Sequence, residues 1–502
     1  MLTATTGTEP RPQVGSQLRT RVSSTRLVDA ITVAVFATIA GLAVTPVRDP
    51  DLFWHLATGR LIVRTHHIPK VDPFSWTAPG RRWIAHEWLT EVIFHAANTA
   101  FGWAGLIVLS ATAIVLAFYF AWSAALRLGA PTWTATAVTG IAALGSLHTW
   151  GARPQMFSLA LTGLLGRLMV DAWRGHLRRL WWAVPMVLVW ANLHGGYIFA
   201  IALLGAFAVG ATADRRLHHW RPATAIAATP SLVRNAWLVT AFATAASLIN
   251  PNGLRGFLYP FSYLGDNAST RYVAEWFAPK FSNPQYWPFA FLLLLLVVSL
   301  VHSRRDAPLY LVISALAFAT LGLQSVRNIG QFGILAIPLI ATTMQRRDAE
   351  RTDQAHAATH TAVAVAAVVA WVAMSGPNLA TQANLNRQAK DFPVASVAWI
   401  RAHPQPSQHV FNDYAWGGYL TLFAPEVPVY VDGRPDMYGD AFMDRFIATW
   451  RLHPGWEQRL RTDGVTRVLV RGDSPIAKAL TATPGWSLVY RDALAVVIDR
   501  HA

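Results

Sequence analysis

The chain has no cysteine, which excludes a disulfide framework and any thiolate metal site. Charge is also scarce: 14% of its 502 residues are charged and 53% are hydrophobic, a balance too apolar for a soluble protein of several domains. Acids are the rarer sign, 27 against 42 Lys and Arg, for a formal charge of +15. Residues 1–26 lack the apolar run that a cleaved signal needs. They are basic and rich in Pro, Ser and Thr, and are read as a disordered cytoplasmic tail. No internal repeat is visible.

What the chain does have is long apolar runs. Stretches of about 17 residues suffice to cross a hydrocarbon core, and the pattern predicts eleven of them, at 31–47, 102–126, 133–149, 154–173, 180–193, 197–213, 235–249, 286–302, 309–324, 329–344 and 361–376. The fifth and seventh are short enough to suit re-entrant or buried core helices as well. Arg and Lys fall between the runs, at 19, 21 and 26, at 174, 178 and 179, at 215, 216 and 221, at 304 and 305, and at 346, 347 and 351. Eleven crossings place all of these clusters in the cytoplasm. The predicted fold is therefore an α-helical polytopic protein of the cell membrane, with its N-terminus in the cytoplasm. A basic surface can serve nucleic acid, but positive charge confined to loops between spans argues for no nucleic-acid partner and for the lipid bilayer instead.

Within residues 27–377 this topology leaves two long external loops, 46–101 and 250–285. Asp49, Pro50, Asp51, Trp54 and His55 follow the first span directly. A helix beginning at Asp51 puts His55 on the same face one turn later, although Asp51 can equally serve as a helix cap. The same loop continues with Asp72, Pro73, Phe74 and Ser75, and then His86, Glu87 and Trp88. Glu87, Glu91 and His95 share one helix face, a spacing that fits either a divalent metal or a solvated polar stripe; the cofactor is thus open between none and a divalent metal.

Arg153, His194, Arg271, Glu275 and Arg327 belong to different loops that the topology brings to the same outer boundary. Ionisable groups at membrane depth are costly unless paired or facing a wet cavity, so the set marks a candidate cavity. Guanidinium forks match phosphate oxygens, and a nearby carboxylate can take a proton from an attacking hydroxyl.

These features resemble a known class. Asp49-Pro50-Asp51 with Trp54-His55, Asp72-Pro73-Phe74-Ser75, His86-Glu87-Trp88, Ala152-Arg153-Pro154 and Asn192-Leu193-His194-Gly195-Gly196 are similar to a bacterial group within the GT-C class of membrane glycosyltransferases. The resemblance covers residues 27–345. It implies transfer of a sugar from a polyprenyl-phosphate-linked donor to an extracytoplasmic acceptor, with a first-loop acid as base, here Asp51 first, then Asp49 or Glu87. Motif residues and the topological set together give His55, His86, Arg153, His194, Arg271, Glu275 and Arg327 as candidate substrate contacts.

From 378 to 502 hydropathy falls and β-rich runs alternate with helical ones, predicting an extracytoplasmic α/β domain. Strands are expected at 409–411, 427–431, 465–470, 487–490 and 493–498, and helices at 442–452 and 475–480. Asp413, Trp416, Asp432 and Arg434 each follow a predicted strand, where ligands often sit in open sheets. They are acceptor-binding candidates, with Trp416 and Tyr438 as stacking surfaces, though turn chemistry explains such residues too. Two other functions fit a basic helical membrane protein. A transporter or flippase would carry its polar groups near the midplane on broken helices, and other lipid-linked group transferases share the interfacial geometry.

Overall fold

A computed structural model of the chain describes residues 14–217, 219–263, 265–302, 307–343, 378–405 and 408–501. The predicted eleventh span, the basic residues at 304, 305, 346, 347 and 351, and residues 1–13 lie outside them. The first helix, α1, runs Val14–Ala43, so residues 14–26 continue a helix where a disordered tail was expected; no proline follows Pro12 to break it.

Helix α2, Asp51–Thr65, starts directly after Pro50, whose φ of −63° is already helical. It buries Leu52, Phe53, Leu56 and Ile62 and ends at His66, in the left-handed region, whose N–H returns to the Ile62 carbonyl at 2.8 Å. Helix α3, Trp88–Arg127, is broken at Gly102, which divides a first segment, 88–101, from a long apolar one. Gly59 sets the distance between α2 and α3. A Cβ there would meet the Glu91 carbonyl oxygen at 2.0 Å, so only glycine lets the two helices lie this close.

Helices α4, Thr132–Ser146, and α5, Gln155–Trp173, follow, and α5 packs along α3. Among the described residues, four helices are long and apolar enough to cross a membrane: α3, α5, Tyr197–Arg216 and Pro284–His302. Shorter apolar helices include Leu309–Gln324 and Val28–Ala43. Trp287–His302 exposes Phe291, Leu294, Val297 and Val301 to its surroundings, the pattern of a surface facing lipid. The predicted seventh span begins earlier than expected, at Pro230 rather than 235, because Thr229 accepts the Leu232 N–H and proline suits the first turn.

The carboxy-terminal region forms a four-stranded sheet of order β1-β2-β4-β3, with β1 Val410–Asn412, β2 Arg467–Arg471, β3 Trp486–Arg491 and β4 Ala495–Arg500. Strands β1 and β2 are parallel and the other pairs antiparallel. The expected strand at 427–431 is not part of this sheet. Val429 exchanges hydrogen bonds with Phe74 and Trp76 of the first loop, at 3.1 Å each, so its partner is the membrane-proximal region.

An ion cluster fastens the two regions. Arg434 donates Nε to Asp432 Oδ1 at 2.8 Å and Nη2 to Asp72 Oδ1 at 2.8 Å and Asp432 Oδ2 at 2.5 Å. All three side chains are buried, and the guanidinium lies 4.5 Å from the Trp83 ring centre. Removing one member of such a cluster leaves uncompensated buried charge, costing about 3–5 kcal/mol. Arg434→Met is therefore expected to lower the thermal stability of the purified protein by an amount of that order and to expose the carboxy-terminal region to protease. Combining it with Asp72→Asn and Asp432→Asn, which removes the orphaned charges and keeps an acceptor for the Phe74 and Ser75 N–H groups, restores part of the loss.

Candidate functional site

Asp49, Asp51, Glu87, Glu91, Arg153, Glu275 and Arg327, all singled out in the sequence, meet at one end of the helices. Asp49 pairs with Arg153, and Arg153 pairs in turn with Glu275, so the first loop, the turn before α5 and the second long loop are joined by one guanidinium. The Asp51 N–H donates to Asp49 Oδ1 at 2.9 Å, and Trp54 Nε1 donates to Asp51 Oδ1 at 3.3 Å. Gly433 of the carboxy-terminal region presses on this point: a Cβ there would stand 1.8 Å from Asp51 Oδ1. Burial, reinforced by Asp49, pushes the Asp51 carboxyl up to about 7, near the value suited to a general base at neutral pH.

One turn along α2, His55 faces two acids, Glu91 at 3.3 Å from Nδ1 and Glu87 at 3.6 Å from Nε2. Glu87 is also 3.6 Å from His86 and 3.4 Å from His194. The His194 tautomer follows from its other contacts. Its Nδ1 accepts the Gly196 N–H at 3.0 Å and the Ser158 hydroxyl at 2.7 Å, while Ser158 Oγ accepts the Trp190 indole N–H at 2.7 Å. Nε2 therefore carries the hydrogen and points it at Glu87. Burial pushes Glu87 up to about 8, against the pull of Arg327, and drives His55 and His194 well below the usual imidazole range. At neutral pH these contacts join neutral groups and are not ion pairs.

Around this cluster stand residues that sequence reasoning missed. Tyr259 donates to Asp436 Oδ2 at 2.6 Å and meets the Tyr263 hydroxyl at 2.6 Å, and the His86 ring lies 4.2 Å from the Tyr259 ring. Tyr263 stacks on Trp276, and Arg327 lies 4.4 Å over the same indole. The sequence signals here were the spacing of Tyr259 and Tyr263 at i, i+4 and an aspartate two residues after Arg434. A small cleft lined by Ala85, His86, Gly195, Tyr197 and Tyr259 opens here. It adjoins an apolar groove formed by Trp88, Leu188, Val189, Ile249 and Pro251.

No protein-family model and no curated protein matches the chain. Solved structures do. The archaeal oligosaccharyltransferase AglB from Archaeoglobus fulgidus, in complex with an inhibitory peptide and a dolichol-phosphate, aligns over 88% of this chain and 69% of its own, with TM-score 0.54 and 11% identity. Arabinofuranosyltransferase AftD from Mycobacteria aligns over 95% of this chain and 40% of its own, with TM-score 0.51 and 13% identity. This is the GT-C fold. ArnT from Cupriavidus metallidurans bound to undecaprenyl phosphate also matches, over 95% of this chain and 98% of its own, with TM-score 0.48 and 15% identity.

Within this GT-C fold, Asp49, Asp51, His55, His86, Glu87, Glu91, Arg153, His194, Glu275 and Arg327 share one polar centre. Arg271 does not join it; Arg271 sits 3.3 Å from Asp444 and 3.6 Å from Asp266, at the junction with the carboxy-terminal region. His95 faces Gly59 of α2. The ladder Glu87, Glu91, His95 does not assemble as ligands, and no group of three acids or histidines among the described residues is arranged to hold a metal ion. The acceptor candidates are placed differently from the expectation. Asp432 and Arg434 are consumed in the buried ion cluster, and Trp416 is fully buried with its indole N–H on the Asp391 carbonyl. Tyr438 is fully buried, and Asp413 caps the turn at Ala415. Asp436, with the Gly433 backbone, carries this region to the centre.

Because folding raises the Glu87 pKa from 4.5 to about 8, the folded state holds a proton that the unfolded state has released. Its contribution to stability is complete below about pH 4.5 and is lost as pH rises through about 8. Melting curves between pH 5 and 9 should show stability falling with pH in the native protein and a shallower fall in Glu87→Gln. Equal slopes in both would remove Glu87 as a source of the pH dependence.

Proposed function

We propose that the chain is a glycosyltransferase that moves a sugar from a polyprenyl-phosphate donor to an acceptor outside the cytoplasm. The observation that carries this reading is the meeting of a carboxylate pair, Asp49 and Asp51, with Arg153, Arg327 and the Glu87 histidine cluster, beside an apolar groove. Two neighbours of the same fold support it, one an oligosaccharyltransferase with dolichol-phosphate bound and the other an arabinofuranosyltransferase. The topology that goes with it has the N-terminus in the cytoplasm, eleven crossings, a transmembrane region over 27–377, and the region 378–502 outside, roofing the site.

In this mechanism Asp51 takes the proton of the acceptor hydroxyl, the acceptor oxygen attacks the anomeric carbon, and the bond from that carbon to the phosphate oxygen breaks. Polyprenyl phosphate leaves with the electron pair. Arg327 is placed to take the phosphate charge. Arg153 already serves Asp49 and Glu275, whereas among the described residues no carboxylate lies within ion-pair distance of Arg327. The prenyl chain follows the groove past Trp88 and Ile249, which is apolar as a lipid tail requires. His86 and Asp436 face the sugar, whose hydroxyls need donors and acceptors, and His55 and His194 hold Glu87 in place. No step is routed through a metal ion.

The test is transfer from a polyprenyl-phosphate sugar by protein in liposomes. Asp51→Asn should remain folded and lose transfer by at least 100-fold, in the range of general-base catalysis, roughly 10²–10⁴. Full transfer by that variant moves the base to Asp49 or Glu87. Glycan and lipid-carrier analysis of a deletion strain against its complement identifies sugar and acceptor, and uptake of a solute without product would favour a transporter.

A further inference from the structure

A second ionic centre lies at the opposite end of α3 and α5. Helix α5 has 19 residues between the Arg153 turn and this end, a rise of about 28 Å, close to the thickness of a hydrocarbon core. There Asp171, with a side chain 5% exposed, receives three guanidinium groups: Arg179 at 2.8 Å, Arg127 at 3.2 Å and Arg167 at 3.2 Å. Arg174 adds a fourth by bonding to the Arg127 carbonyl.

Among the described residues one carboxylate, Asp171, pairs with these guanidinium groups and balances one of their charges. Arg127 and Arg179 keep 36% and 47% of their side chains exposed, so both side chains remain open to the surroundings at the level where α3 and α5 end. Trp182, exposed nearby, marks the same level, since tryptophan favours the membrane–water interface. A surplus of fixed guanidinium groups at that depth calls for an anion. Phosphate oxygens match the guanidinium fork, and the anionic groups present at highest density there are lipid head groups.

We infer that Arg127, Arg174 and Arg179, held in register by Asp171 and Arg167, form a binding site for the phosphate of an anionic phospholipid, on the membrane face opposite the sugar-transfer site. The inference rests on the membrane-spanning reading of α3 and α5 but not on the transferase activity or on which face is cytoplasmic. Asp171 competes with the lipid for the same donors, which gives the site an unusual signature. Removing the acid should strengthen lipid binding even as it weakens the protein alone.

The experiment compares native protein, Arg127→Gln/Arg179→Gln and Asp171→Asn in nanodiscs of phosphatidylglycerol or phosphatidylcholine, reading retained lipid by native mass spectrometry and melting temperature in each. Native protein should retain phosphatidylglycerol in preference, and the double variant should lose that preference by on the order of tenfold. Asp171→Asn should melt lower than native protein in phosphatidylcholine and regain most of the difference in phosphatidylglycerol. If inorganic phosphate in phosphatidylcholine nanodiscs gives the same rescue, the site takes phosphate and not a lipid, and the inference falls. It falls equally if the double variant retains as much phosphatidylglycerol as native protein, or if Asp171→Asn is not rescued. A protein that binds lipid in this way yet transfers no sugar would sink the transferase reading and leave the lipid site standing.

Discussion

The structure depends on the cost of taking ionisable groups out of water. An isolated buried charge is too expensive to keep, and the acids and bases of the two central clusters have found a partner or given up their charge, while Arg327 rests over the Trp276 indole. Arg434 answers with two aspartates, Asp72 and Asp432. Glu87 answers by holding its proton among three imidazoles that have lost theirs. The first solution builds a joint between the two regions of the chain, and the second builds a neutral, proton-rich pocket next to the charged pair Asp49 and Arg153. Stability and chemistry are thus two outcomes of one electrostatic constraint.

The joint decides where the site can be. Gly433 lies directly on Asp51, and Asp436, three residues on, bonds to Tyr259 of the second long loop. The Arg434 cluster stands between them in sequence. A short segment of the carboxy-terminal region therefore closes over the first-loop acid and contributes a carboxylate to the cavity. That segment lies over Asp51, and Tyr438, two residues after Asp436, is fully buried.

Helices α3 and α5 carry different chemistry at their two ends. At one end Glu91, through His55, and the turn holding Arg153 take part in the candidate site. At the other, Arg127 and Asp171 organise a cationic cluster. The helices between are apolar and packed on each other, so the two centres are separated by a low-dielectric layer and respond to different surroundings.

By itself the sequence determined the class of environment and the main inventory. Long apolar runs and loop-confined arginines pointed to a helical membrane protein, because burial in lipid constrains composition strongly. The helix from Asp51 and the clustering of Asp49, Asp51, His86, Glu87, Arg153, His194 and Arg327 were legible from spacing and topology. Tertiary structure alone decided the partners. Val429 pairs with the first loop and not with the sheet, Arg271 turns to Asp444, Glu87 and not Asp51 gathers the histidines, and Asp436 bonds to Tyr259 while Asp432 is held by Arg434. A hydrogen bond acts over about 3 Å, whereas the residues it joins here are separated by up to several hundred positions, so nothing in local pattern could have chosen among them.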